Sequence, residues 1–151
     1  MRDVTVAVRQ VTDTVSGAHD RATSRNRLIN LWDAHEHSPL IRCVTAHYLA
    51  DLMDDKADEL AWDLRALEAG RVLRDEDVQA IDPSLTIGSF LPSLCLNLAA
   101  DYFDLGRTVE AEVHLRLVES LLLYEAVESP YTSMIRWGAA RLRRGLVPIS
   151  T

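Results

Sequence analysis

Apolar residues recur along this chain at three- and four-residue spacing almost from end to end, the period of helices that bury one face. The clearest case is residues 91–122, LPSLCLNLAADYFDLGRTVEAEVHLRLVESLL. One periodic segment runs to Leu105, breaks at Gly106 and Arg107, and a second follows at once, which predicts a helical hairpin.

Upstream, residues 2–16 fit two periods. Val4, Val6 and Val8 alternate as in a strand, while Val4, Val8, Val11 and Val15 form a helical stripe. No second strand follows for the first to pair with, so a helix ended by Gly17 is expected. A second helix, from about 19 to 35, presents Ala22, Leu28, Ile29, Leu31 and Trp32. Ser38 and Pro39 open a third. Serine accepts a bond from an orphan N–H, and proline costs nothing at the first helical position. Cys43, Ala46, Ala50 and Met53 recur along this helix, with Leu49 and Leu52 beside them, and Asp54, Asp55 and Lys56 mark its turn. The fourth helix takes Leu60, Leu64 and Leu67 as its stripe and Gly70 as its stop.

The period fails over 71–91. Asp75, Glu76 and Asp77 read as the acidic first turn of a short helix, and Asp82, Pro83, Ser84 and Gly88 are loop signals. Ser129 and Pro130 start a last helix that turns Tyr131, Ile135, Ala139, Leu142 and Leu146 inward. Arg136, Arg141, Arg143 and Arg144 give it a basic outer side, which complements the negative helix C-terminus.

Composition narrows the class. With 151 residues, 48% apolar and 26% charged, the chain reads as one globular domain over 1–151. A formal charge of −7 opposes general nucleic-acid binding. No apolar run approaches a bilayer span, and the start, MRDVTVAVRQ, lacks the apolar core of a secretory signal, so a cytoplasmic protein is expected. Lys56 is the only lysine, an arginine bias that reads as codon usage in a GC-rich genome. Cys43 and Cys95 sit inside helical apolar patterns and read as reduced core thiols.

Within the hairpin, Leu98, Ala99, Tyr102, Gly106, Ala111, Leu115 and Val118 occur in an order that resembles the tetratricopeptide repeat. Small residues let the two helices approach, and the aromatic fills the gap between neighbouring hairpins. Leu49, Ala50, Met53, Ala57 and Ala61 form a degenerate copy, and Gly17 and Ala22 a weaker one. Ala61 and Ala111 stand further apart than the family's period of about 34 residues, and the excess matches an insertion over 71–91. The chain is also similar to small stand-alone repeat proteins common in high-GC bacteria. The resemblance implies an all-α, right-handed stack of antiparallel helical hairpins, about seven helices with a C-terminal capping helix.

It further implies a protein- or peptide-binding groove lined by the first helix of each hairpin. The matching positions are Val44, His47, Tyr48 and Asp51 on one helix and Leu96, Asn97, Ala100, Phe103 and Asp104 on the next. Of these, His47, Tyr48, Asp51, Asn97, Phe103 and Asp104 are the groove candidates. Asn97 matches an asparagine that some relatives use to hold a peptide carboxylate, but those relatives add inner lysine or arginine where this chain has His47 and Asp51. A neutral or basic partner is therefore expected. Tyr48 and Phe103 also fit a packing role, and Asn97 could simply bond a neighbouring carbonyl. Asp51, Asp54, Asp55, Asp58, Glu59 and Asp63 read first as a solvated turn and helix start, and second as a docking patch for a basic partner.

His35, His37, Cys43 and His47 are the one cluster of soft ligands, with Cys43 and His47 on one helix face. Their spacing matches no zinc signature, so no metal or other cofactor is assigned. No glycine-rich phosphate loop precedes Lys56, His35 and His37 lack the spacing of a helical zinc protease, and no G-x-S-x-G elbow occurs. An enzyme is not expected. The rival readings are a self-assembling or small-ligand-sensing domain with a cleft under 71–91, and, last, a metal-dependent enzyme using His35, Cys43 and His47. A homo-oligomer is compatible with an exposed terminal repeat face.

Overall fold

Apolar residues at helical spacing become eight helices in the computed structural model, which describes residues 2–125 and 128–146. They are α1 (Arg2–Ser16), α2 (Arg21–Ala34), α3 (Pro39–Asp51), α4 (Lys56–Gly70), α5 (Asp75–Val78), α6 (Ile87–Asp104), α7 (Thr108–Leu123) and α8 (Pro130–Leu146). No strand occurs among the described residues, so the protein is all-α. The four-residue α5 is the short helix expected at Asp75, Glu76 and Asp77, and the described residues hold eight helices where about seven are expected. No helix among the described residues is long and apolar enough to cross a membrane. The chain divides into two compact units, Met1–Ile87 and Gly88–Thr151.

In the first unit α3 is the central element, packing on α1, α2 and α4. Its residues Ile41, Cys43, Thr45, Ala46, Leu49 and Ala50 are fully buried. The small side chains among them, with the buried Ala66 of α4, allow a close helix pair. The N-cap of α4 is Asp55, which accepts from the backbone N–H groups of Ala57 at 2.7 Å and Asp58 at 3.3 Å. Asp20 caps α2 in the same way through Thr23. Ser38 precedes α3 as expected, but its hydroxyl makes no cap bond, and Pro39 alone sets the start.

The inner stripe of α4 departs from expectation. Leu60, Asp63, Ala66, Leu67 and Gly70 are buried, whereas Leu64 is 41% exposed. Positions 63 and 64 both continue a helical stripe from Leu60, and the fold turns the aspartate inward. The C-terminus of α3 is closed by arginines from α2. Arg21 donates to the carbonyls of Asp51, Leu52 and Met53, and Arg25 donates to Leu52 at 2.7 Å. These supply the donors that the last carbonyls of a helix lack.

The second unit holds the hairpin. Gly106, at φ 74°, lets Arg107 N–H reach the Tyr102 carbonyl at 2.8 Å and Gly106 N–H reach that of Phe103 at 3.0 Å. Leu98, Ala99 and Tyr102 of α6 and Ala111, Leu115 and Val118 of α7 are buried. Residue Ile87, not Leu91, begins α6, which places Gly88 inside a helix rather than in a loop. The cost is the one backbone bond that Pro92 cannot donate, and the buried Ser89 and Phe90 extend the helix past it.

The last helix, α8, packs on α7. It also meets α6 through two glycine notches. A Cβ at Gly138 would lie 2.9 Å from Leu96 Cδ2, and one at Gly145 would lie 3.1 Å from Phe103 Cζ. Tyr131 donates to Ser93 Oγ at 2.7 Å. Two of the arginines expected on a free outer side are tied down. Arg136 donates to the Leu122 carbonyl and Glu128, and Arg143 reaches both Glu119 and Glu112.

Candidate functional site

The close pairing of α3 and α4 sets the position of three of the six groove candidates. His47, Tyr48 and Asp51 lie on α3 in the first unit, with His47 and Asp51 one helical turn apart. The His47 and Tyr48 rings stand 5.3 Å apart, tilted by 55°. Across from them on α4, Asp63 Oδ1 lies 4.0 Å from His47 Nδ1, and the Asp63 side chain is only 3% exposed. Asp63 is thus no part of a solvated turn. Lys56 Nζ holds Glu59 at 2.8 Å nearby.

Burial and charge act on this group together. Burial pulls the His47 imidazole below its ordinary value, against the opposing pull of Asp51. Burial also raises the Asp51 carboxyl; the nearby Glu59 adds to that, while His47 and Lys56 oppose it. Tyr48 is raised by burial and by Asp51. His47, biased toward the neutral form, thus stands between Asp63 across the helix pair and Asp51 one turn along α3.

The other three candidates lie on α6 in the second unit. Asn97 is half-buried and Asp104 is the exposed last residue of the helix. They are seven residues apart and share a face, since each residue turns the helix by about 100°. Phe103 points elsewhere, alongside Leu96, with its ring against Gly145 of α8. This contact makes Phe103 a packing residue between α6 and α8.

The four soft ligands meet different fates. His35 Nδ1 engages the Leu31 carbonyl at 2.8 Å, and His37 Nε2 lies 3.0 Å from Glu36 at the surface. Cys43 is fully buried, and burial pushes its thiol up to about 12, so it stays protonated and a poor metal ligand. Among the described residues, His35, His37, Cys43 and His47 do not converge on a common point.

The partnership of His47 with Asp63 escaped the sequence reading. Its one signal was the spacing of Asp63 from Leu60 and Leu67, which puts a carboxylate in the apolar stripe of α4. A buried carboxylate needs a partner. Comparison of the chain with protein-family models, with curated proteins and with solved structures finds no match.

Proposed function

We propose that this chain is a protein- or peptide-binding module, a short helical repeat array of the tetratricopeptide type, and that its α3–α4 face receives a basic segment of the partner. The repeat reading is supported by the burial of Leu98, Ala99, Tyr102, Ala111, Leu115 and Val118 and by the left-handed Gly106 at the turn. One observation carries the basic partner: Asp51, at the end of α3 and partly open to solvent, lies beside Tyr48 and His47, its carboxyl raised by partial burial and further by Glu59. A lysine or arginine head would neutralise Asp51 while its methylene stem covers the Tyr48 ring. Self-association draws support of a different kind from α7, whose Val109, Val113 and Leu117 form an exposed apolar stripe.

The test is selection from a library of extended peptides, followed by fluorescence anisotropy on the full chain. Selected peptides are expected to carry lysine or arginine and to weaken with added salt. Asp51→Asn is expected to lower affinity about tenfold, or roughly 1.4 kcal/mol, with an unchanged melting curve. Binders without basic residues, or an Asp51→Asn protein that binds as tightly as the parent, would sink the reading.

Small-ligand sensing is favoured by a specific feature of the first unit. A cleft of about 720 Å³ lies beside α5, lined by Val4, Leu40, Leu73, Glu76 and Gln79 among others. Its size is in the range of small-molecule sites. A shift in melting temperature on ligand screening tests it.

A further inference from the structure

Three helices of the first unit bring two tryptophans and two arginines into one ladder. Trp32 of α2 and Trp62 of α4 meet edge to face, with ring centroids 5.2 Å apart and planes at 89°. The Arg42 guanidinium, from α3, lies over Trp32 at 3.6 Å from the ring centroid. On the other tryptophan, the Arg65 guanidinium lies at 4.4 Å. Trp32, Arg42 and Arg65 line a cleft of about 420 Å³, with Pro39 and Val72 as apolar wall.

The two guanidiniums are set apart by the tryptophan faces they stack on and by the cleft they share. Acidic residues outnumber basic ones, 23 to 16. Arg107, Arg116, Arg136 and Arg143 each hold a glutamate. Among the described residues, Arg42 and Arg65 hold no carboxylate or carbonyl, only a tryptophan face. Stacking uses the flat face of a guanidinium and leaves its in-plane N–H fork open to donate to two oxygens of one anion. The remaining charges at the cleft restrict which anion. Glu36 lies beside His37 at 3.0 Å, and Glu68 also lines the wall. These two carboxylates repel a polyanion but tolerate a single negative charge.

We infer that the cleft lined by Trp32, Arg42 and Arg65, with Trp62 packed edge to face on Trp32, is a binding site for a small monocarboxylic acid with an aromatic or branched aliphatic body. The carboxylate takes the Arg42 fork, assisted by Arg65, and the apolar body lies against Trp32, Pro39 and Val72. The site is separate from the Asp51 face and selects the opposite charge.

The test is titration of the full-length protein with a panel of aryl and branched-alkyl monocarboxylates, 3-phenylpropionate first. Calorimetry and the indole N–H resonances are the readouts. Binding is expected to move the Trp32 and Trp62 signals and leave Trp137 in place. The matched amide and a nucleoside triphosphate are expected to bind at least about tenfold more weakly, or 1.4 kcal/mol. Arg42→Gln is expected to lose about tenfold in affinity, and Arg42→Lys, which keeps charge but not the fork, to recover only part of it. If Arg42→Gln fails to fold, Arg65→Gln takes its place. The inference fails if no acid of the panel moves the Trp32 and Trp62 signals, if amide and acid bind alike, or if triphosphate binds best.

Discussion

Gly106 has a positive φ of 74°, and a Cβ built there would meet nothing within 4 Å. Its role is therefore purely one of backbone conformation, and it can be tested without a packing term. Gly106→Ala is expected to destabilise the protein by about 1–2 kcal/mol, read as a lower urea midpoint with unchanged slope. Gly106→Asn is expected to lose less, because asparagine tolerates the left-handed region. This residue was legible in the sequence, since a glycine between two apolar periods has a single strong reading. Asp63 was not. Leucine at 64 is the more apolar choice for the stripe of α4, and the inward turn of the aspartate toward His47 is set across the helix pair, which local spacing does not encode.

Among the elements, the long helices were legible because each carries its own apolar period, and even the valine-rich α1 resolves as helix. What joins the elements was less so. The C-terminus of α3 has no basic residue in its last turn, and its carbonyls are served by Arg21 and Arg25 from a helix about thirty residues earlier. Nothing in local spacing encodes that. Arg25→Ala is expected to cost about 1.5–3 kcal/mol, as for a hydrogen bond to a charged group, and the more exposed Arg21→Ala less; chemical denaturation of both variants checks the order. A larger loss from Arg21→Ala would reverse this account of the clamp. The notches at Gly138 and Gly145 are a similar case. Their seven-residue spacing puts them on one helix face, but only the rings and methyls of α6 show that the face is a contact. The arginine–tryptophan ladder spans α2, α3 and α4 and has no sequence signature beyond the residue types.

For the molecule as a whole, the partly buried His47 makes stability depend on pH. His47 titrates below its ordinary value of 6.5 in the folded chain. Between those two values the unfolded chain takes up a proton that the folded chain refuses, so stability rises with pH there. The contribution of His47 is complete above pH 6.5 and is lost as the pH falls below it. Asp51, raised above 3.8 chiefly by burial against the pull of His47, acts in the opposite sense at lower pH. Denaturation at pH 7.5 and 5.5 is expected to show a smaller acid loss in His47→Gln than in the parent. Equal losses would mean that the imidazole is not held neutral by burial.

The two cysteines have a practical consequence. Cys43 belongs to one compact unit and Cys95 to the other, and both are closed to solvent. A thiol reagent reaches either sulfur only while the helix around it opens, so labelling is a clock for local unfolding. The chain therefore carries two timers, Cys43 in the first unit and Cys95 in the second. Following both by mass spectrometry under one set of conditions reveals which half yields first, with no probe introduced by mutation.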